Sequence, residues 1–384
     1  ASTRSAGRSP STRPVTAGLN AMKEANKNGL AQELDVVGYN GGGGSVFVYD
    51  EDYNTYPERK MYASEVPHTF HTRGVYQTRT RYRDSEKPMF KDMTLQHIPH
   101  LTEEEVFPGV SACYYSSYDN ALVRIGAQDS WKLITDRPFM AGEFRWTGID
   151  YRGESHGWPA KHSNAGVIDL CGFPKDLYYL YQAMWTDTDV LHLLPHWTHP
   201  AREGTEIPVC AFTNCDTVEL FLNGESLGKK WRGDRFDIFW YVPWEPGTLA
   251  AVGWKHGTQV CETCQRTAGK PRQIRLSPDK TTLRADGYDL CQLAASLEDA
   301  DGVCVPTADN RLTFSVAGAA KLVATGNGDP AVDETPLAHE LPVFNGLCLA
   351  MIQSTPTPGT STVTVTAPDL ASATLTLQTL SPFR

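Results

Sequence analysis

The stretch "KMYASEVPHTFHTRG" (Lys60–Gly74) carries a short apolar run into one carboxylate, Glu65, and then into an irregular, histidine-rich segment. Working outward, the same rhythm of brief apolar runs recurs in "RPVTAG" (13–18), "LDVVGYN" (34–40) and "RPFMAGEFRWTGID" (137–150). A polar, helix-compatible stretch, "AMKEANKNGLAQE" (21–33), separates the first two. Short buried parallel strands spaced by helices produce this pattern, so the region up to about Trp185 reads as α/β with four strands. A closed (β/α)8 barrel has twice that number and needs about 250 residues, so the sequence predicts only part of one.

After Leu191 the texture changes. "IPVCAFTN" (207–214), "TVELFLNGESLGKK" (217–230), "FDIFWYVPW" (236–244) and "TLAAVGWKHGTQVCE" (248–262) alternate in polarity, and "NGES" and "KHGTQ" carry the glycine chemistry of tight hairpins. A second block of this kind begins near Pro271 and ends with "STVTVTAPDLASATLTLQTL" (361–380), and "TAGKPR" (267–272) links the two. The expected organisation is an α/β portion over residues 1–185 and two β-sandwiches over 186–268 and 271–384.

The 384 residues are 40% hydrophobic and carry a formal net charge of −10. That acidity argues against nucleic acid or an anionic membrane as partner, because both attract an excess of Lys and Arg. No run approaches the roughly 18 apolar residues of a membrane-spanning helix. "ASTRSAGRSPSTRPV" (1–15) is rich in Ser and Arg without an apolar core, and reads as loop. The nine cysteines are spread without the density of a disulfide scaffold and do not reveal the compartment.

Glu65 stands where a strand-like run stops, and catalytic side chains of barrels project from the carboxyl ends of strands. Glu143, near Trp146 and Asp150, is a second carboxylate beside an aromatic ring. Carboxylates with an aromatic platform suit the holding and cleavage of sugars: one attacks, another donates a proton, and the ring face packs on the sugar.

Several strings carry a resemblance: "STRPVTAGLN" (11–20), "NGLAQELDVVGYN" (28–40), "PFMAGEFRWTGIDYRGE" (138–154), "NAGVIDLCGFPKDLYYLYQAMW" (164–185) and "HLLPHWTHPAREG" (192–204). Together with the β-rich blocks they resemble glycoside hydrolase family 2, in particular its bacterial β-galactosidase-like members. The resemblance implies the second half of a (β/α)8 barrel followed by two immunoglobulin-like sandwiches. It further implies a retaining hydrolase of terminal non-reducing β-D-galactosides, with Glu65 as nucleophile at the end of barrel strand seven. Tyr39, at the end of strand six, is expected to hydrogen-bond that nucleophile. Trp146 is expected to floor the sugar site, and His68, Asn40, Asp150 and Asn164 to border it. β-Glucuronidase is the nearest rival. It needs an Asn-x-Lys element after strand eight, where this chain reads "KHSNAGVID" (161–169).

Two departures bear on activity. Four glycines, 41–44, follow Asn40 where the family has an aromatic residue. The family's acid/base glutamate belongs to strand four, in a segment that would precede Ala1. The chain alone is therefore expected to be inactive and to need the other half of the barrel, and the reading from another class is a non-catalytic carbohydrate-binding or scaffold fragment. No cofactor is expected. Relatives sometimes hold magnesium or sodium, and no ligands for either are recognisable. Glycan-degrading relatives are often exported, which favours a periplasmic or secreted location.

Other motifs read as structural. "CETC" (261–264) has zinc or redox spacing but lacks a second pair. His192, His196 and His199 cannot converge on an extended strand. "TGNGDP" (325–330) lacks the helix and lysine of a phosphate loop. Of Trp231, Trp240, Trp244 and Trp254, some are expected to point into a core.

Overall fold

The computed structural model describes residues 13–40, 48–76, 113–119, 126–155 and 157–381. The glycine-rich segment after Asn40 and residues 1–12 lie outside these. Internal contacts divide the chain into two compact units, one of residues 1–71, 75–151 and 163–167, the other of 72–74, 152–162 and 168–384.

The first unit is built on four strands, β1 (Thr16–Leu19), β2 (Val36–Tyr39), β3 (Met61–Ala63) and β4 (Met140–Glu143), parallel and hydrogen-bonded in chain order. Helices α1 (Met22–Lys27), α2 (Tyr49–Thr55) and α3 (Ala127–Thr135) connect them. In α3, Ala127, Ser130 and Ile134 are buried, a helical spacing that turns one face to the core. Its first backbone N–H groups, at Ala127 and Gln128, donate to the Asp119 carboxylate, which offsets the unpaired donors of a helix start. One core unites the elements: Val37, Tyr39, Met61, Ala63 and Met140 from the strands meet Met22, Ala25, Tyr49 and Ile134 from the helices. Residues 37 and 39 share one face of β2 because side chains alternate along a strand.

In β4 the alternation breaks. Met140 pairs with Met61 and Glu143 with Ala63, so three steps on β4 match two on β3. Gly142 sits at φ +138, a value side chains rarely adopt, and makes this bulge possible. The extra residue turns Glu143 to the helix side, with Met140.

Two-residue strand segments β5 (Tyr151–Arg152) and β6 (His162–Ser163) occur at the chain positions where the units divide, and helix α4 (Asp176–Trp185) is in the second unit. β7 (Leu191–Leu194), β8 (Glu206–Thr213) and β11 (Asp237–Pro243) form one antiparallel sheet. β9 (Thr217–Leu222), β10 (Glu225–Trp231), β12 (Thr248–Lys255) and β13 (Thr258–Arg266) form another. The sequence reading ran the α/β portion to residue 185. In the structure α4 packs on β7 and β8, and His192 Nε2 lies 2.6 Å from Asp176 Oδ1, so this helix belongs with the strands that follow it. β8 is buried on both faces and reads as an unbroken apolar run, whereas β9 alternates, with Val218, Leu220 and Leu222 inward.

Both hairpin signals are realised. Asn223–Gly224 joins β9 to β10 and His256–Gly257 joins β12 to β13, each with two positive φ values, the combination whose twist matches the flanking strands. Trp240 and Trp244 are buried and Trp231 is exposed, while Lys229 Nζ sits 3.4 Å from the Trp254 ring centroid.

Beyond Arg266 come β14 (Gln273–Pro278), β15 (Thr282–Arg284), β16 (Leu290–Glu298), β17 (Arg311–Gly318), β18 (Ala320–Gly326), β19 (Glu340–Pro342), β20 (Leu347–Ser354), β21 (Gly359–Thr366) and β22 (Ala373–Leu380). They make two sheets, ordered β14-β16-β20-β18 and β15-β22-β21-β17-β19. One core fills the space between them, with Leu293 and Leu297 of β16 and Ile352 of β20 from one sheet, and Phe314, Val363 and Leu377 from the other. Leu293 is fully buried at the centre of this layer. Leu293→Ala should therefore cost about 2–5 kcal/mol, read as a lowered urea midpoint for the unit.

Candidate active site

Polar groups gather where the parallel strands end. Ser64 Oγ, just past β3, donates to Asn40 Oδ1 (3.0 Å), just past β2, and Asn40 Nδ2 donates to Asn20 Oδ1 (2.7 Å), just past β1. A Cβ on Gly18 would stand 2.9 Å from Ser64 Oγ and 3.0 Å from Asn40 Oδ1, so glycine there leaves room for the chain of bonds. One residue on is Glu65, its side chain 23% exposed, with Oε1 2.8 Å from His68 Nε2. His68 forms a parallel bridge with Trp146, which lies past the end of β4. The structure thus brings Glu65, His68 and Trp146 together, and joins Asn40 to the same rim through Ser64.

Trp146 is 36% exposed, and its indole N–H donates to the Tyr151 hydroxyl (3.0 Å) with the two rings edge to face. Phe144 and Ile149 are exposed nearby in sequence. An exposed aromatic ring bridged to the histidine beside a carboxylate suits packing on a sugar ring.

Tyr39 is elsewhere. Sequence reasoning expected its phenol to donate to Glu65. It donates instead to Asp52 Oδ2 (2.9 Å) and accepts from Arg59 Nη1 (3.3 Å), and Arg59 also donates to Asp52 (3.0 Å). The reason is strand parity: Tyr39 pairs with Ala63, and both face the helices, while Asn40 and Ser64 face the other way. Burial, the largest contribution, raises the Tyr39 phenol well above its ordinary value, so it stays protonated as a donor. Asp150 and Asn164 are buried, 4% and 3% exposed, and bond to backbone: Asp150 Oδ1 accepts from Gly166 N (2.8 Å) and Asn164 Nδ2 donates to Cys113 O (2.8 Å).

Arg145 was not singled out from sequence. Its guanidinium donates to the carbonyls of Pro67, Thr69 (3.0 Å) and Ala165 (2.8 Å), fastening the segment that follows Glu65 to the one past Gly148. Charge-assisted bonds of this kind hold a loop more firmly than neutral ones. The only hint in the sequence was a lone cation between Phe144 and Trp146 in an apolar run. Among the described residues no group of three or more His, Cys, Asp or Glu side chains could hold a metal ion. No step below passes through a metal ion.

Comparison with known proteins now decides the family. Residues 274–376 match the glycoside hydrolase family 2 C-terminal domain 5, and residues 204–261 match a domain of unknown function (DUF4982). Beta-galactosidase BoGH2A of Bacteroides ovatus is 38% identical over 95% of this chain and 41% of its own length. A crystal structure of a beta-glycosidase from Bacteroides vulgatus superposes with a TM-score of 0.82 at 38% identity, covering 94% of this chain and 49% of that one. The chain belongs to glycoside hydrolase family 2. A beta-glucuronidase of Formosa agariphila is also similar, 24% identical over 71% of this chain and 28% of its own length. The chain thus spans less than half the length of these family 2 relatives.

Glu143 is the second carboxylate that sequence reasoning weighed. Ser130 Oγ donates to its Oε2 (2.9 Å). Burial pushes its carboxyl up from the ordinary 4.5 to about 7, against the opposing effects of the Ser130 bond and the Arg145 charge. A group whose folded pKa is raised binds its proton more tightly in the folded state. The stability it gives is complete below about pH 4.5 and is lost as pH rises to about 7. Glu143→Gln should remove that slope. Between pH 4.5 and pH 8 the variant should gain up to about 3 kcal/mol relative to the parent, measured by urea unfolding across the range.

Proposed function

We propose that this chain carries the nucleophile half of the active site of a retaining β-glycosidase acting on terminal β-D-galactosides, with Glu65 as the attacking group. The observation that carries the proposal is the position of Glu65. It is a partly exposed carboxylate just past the end of a parallel strand, with one oxygen 2.8 Å from His68 Nε2 and the exposed Trp146 bridged to His68. The architectural reading accompanies it: four parallel strands as the later half of a (β/α)8 barrel, and two immunoglobulin-like sandwiches after them. The family relationship and the antiparallel sheets around shared cores support that reading.

In the first step the Glu65 carboxylate forms a bond to the anomeric carbon as the bond to the aglycone oxygen breaks, and an acid protonates that oxygen. Water then displaces the sugar from the glutamyl ester, its proton passing to the same acid, now a base. His68 Nε2, 2.8 Å from one carboxylate oxygen, stands beside the attacking group. Arg145 fixes the backbone from Pro67 to Thr69, which carries His68. Trp146 supplies the ring face. Glu143 does not serve as the acid in this reading, because the bulge at Gly142 turns it among the helices beside Ser130. We place the proton donor in another part of the protein, and the 384-residue chain alone should then be inactive.

Galactoside is preferred to glucuronide because no Asn-x-Lys element follows β4, and Lys161 is engaged by Asp333 (2.5 Å) and the Val332 carbonyl. The test uses the whole protein that contains this chain, with aryl β-D-galactoside and aryl β-D-glucuronide. The galactoside should have the higher kcat/KM, and Glu65→Gln should lower kcat by about a thousandfold or more, as loss of a covalent nucleophile does. Faster turnover of the glucuronide overturns the substrate assignment, and undiminished turnover by Glu65→Gln overturns the nucleophile.

A further inference from the structure

Cys215 and Cys261 are 46 positions apart in the chain, yet their sulfurs lie 3.4 Å from each other. Cys215 is fully buried, two residues before β9, and Cys261 is partly exposed on β13. β12 runs between β9 and β13, and at the level of the sulfurs it carries Gly253, which pairs with Val218 on one side and Cys261 on the other. A Cβ on Gly253 would stand 2.6 Å from Cys215 Sγ and 2.9 Å from Cys261 Sγ. Glycine on the middle strand therefore leaves the gap over which the two sulfurs meet, and the ladder slips by one residue there, between Gly253 and Trp254. The C-x-x-C spacing is not the functional unit. Cys261 and Cys264 are three apart on one strand, so they point to opposite faces.

We propose that Cys215 and Cys261 are a site of reversible disulfide formation that locks β13 to the segment before β9, across β12. Both sulfurs are thiols in this structure. Closing the bond requires the sulfurs to approach by a little over about 1 Å, within reach of small side-chain rotations. With a low-molecular-weight disulfide as oxidant, the Cys261 thiolate attacks one sulfur of glutathione disulfide and releases one glutathione. The Cys215 thiolate then displaces the second glutathione from Cys261. Two protein thiols are oxidised, one glutathione disulfide is reduced to two glutathiones, and the two protons lost by the cysteines end on the two departing glutathione sulfurs. Cys261 is the entry point because it is the more exposed of the pair. Burial, followed by the contact with Cys215, pushes its thiol up to about 12, so the first exchange is slow at neutral pH.

The experiment treats the full chain with glutathione disulfide after removal of reductant. It reads intact mass, a peptide map without reduction, and melting with and without dithiothreitol. The expected result is a crosslinked pair of peptides containing Cys215 and Cys261, loss of the mass of two hydrogens, and a Tm raised by about 5–10 °C that dithiothreitol reverses. In Cys215→Ala, glutathione should stay on Cys261 as a mixed disulfide. Should that variant not fold, the map of the parent protein decides alone. Recovery of both cysteines as free thiols, in a sample whose exposed Cys264 has taken up glutathione, overturns the proposal. So does a crosslink from either to another cysteine, or a crosslinked protein that melts no higher than the reduced one.

Discussion

The α/β unit depends on the register of its parallel sheet at the carboxyl ends of the strands. Tyr39 is level with Ala63, and Ala63 with Glu143. Every one of these faces the helices, and their successors face the other side. That single alternation sends Tyr39 to Asp52 and Arg59, and it gathers Asn20, Asn40 and Ser64 into one polar rim ahead of Glu65. A slip by one residue would exchange the two sets, placing a phenol in the rim and an amide in the core.

The bulge at Gly142 does such an exchange locally, and it separates the two glutamates into different chemistry. Glu65 keeps a partly exposed carboxylate against an imidazole. Glu143 is carried among Tyr49, Ser130 and the core, where burial favours its neutral form. The same residue type at two neighbouring strand ends thus serves two purposes, one presented to the rim and one closed into the packing. Arg145 lies between Glu143 and Trp146 and ties together backbone on both sides of the rim, so the sheet edge and the loops beyond it are held as one piece.

How much of this was legible follows from the range of each interaction. The four strands and the hairpins at Asn223–Gly224 and His256–Gly257 were visible because short apolar runs and glycine-containing turns are local signals. The approach of His68 to Glu65 was not, since the sequence placed His68 on the sugar and Tyr39 on the carboxylate. The direction of Tyr39 was not, since parity depends on which face the helices cover. The burial of Glu143 was hidden by a one-residue bulge. The side-chain bonds of Asp150 and Asn164 to backbone were hidden because their partners are 16 and 51 positions away. Helix α4 sat at the end of an α/β-like pattern, and only its contacts with β7 and β8 assign it to the second unit. The Cys215–Cys261 contact needed a third strand, with glycine at the crossing, to come into view.

The account stands on Glu65 being the atom donor to the anomeric carbon. The most direct measurement is to trap that bond: treat the whole protein with an activated 2-deoxy-2-fluoro-β-galactoside, digest it, and locate the sugar by mass spectrometry. The account requires the label on the peptide Met61–Arg73 at Glu65. A label on Glu143 or any other residue, or complete inactivation with no covalent sugar, would contradict it.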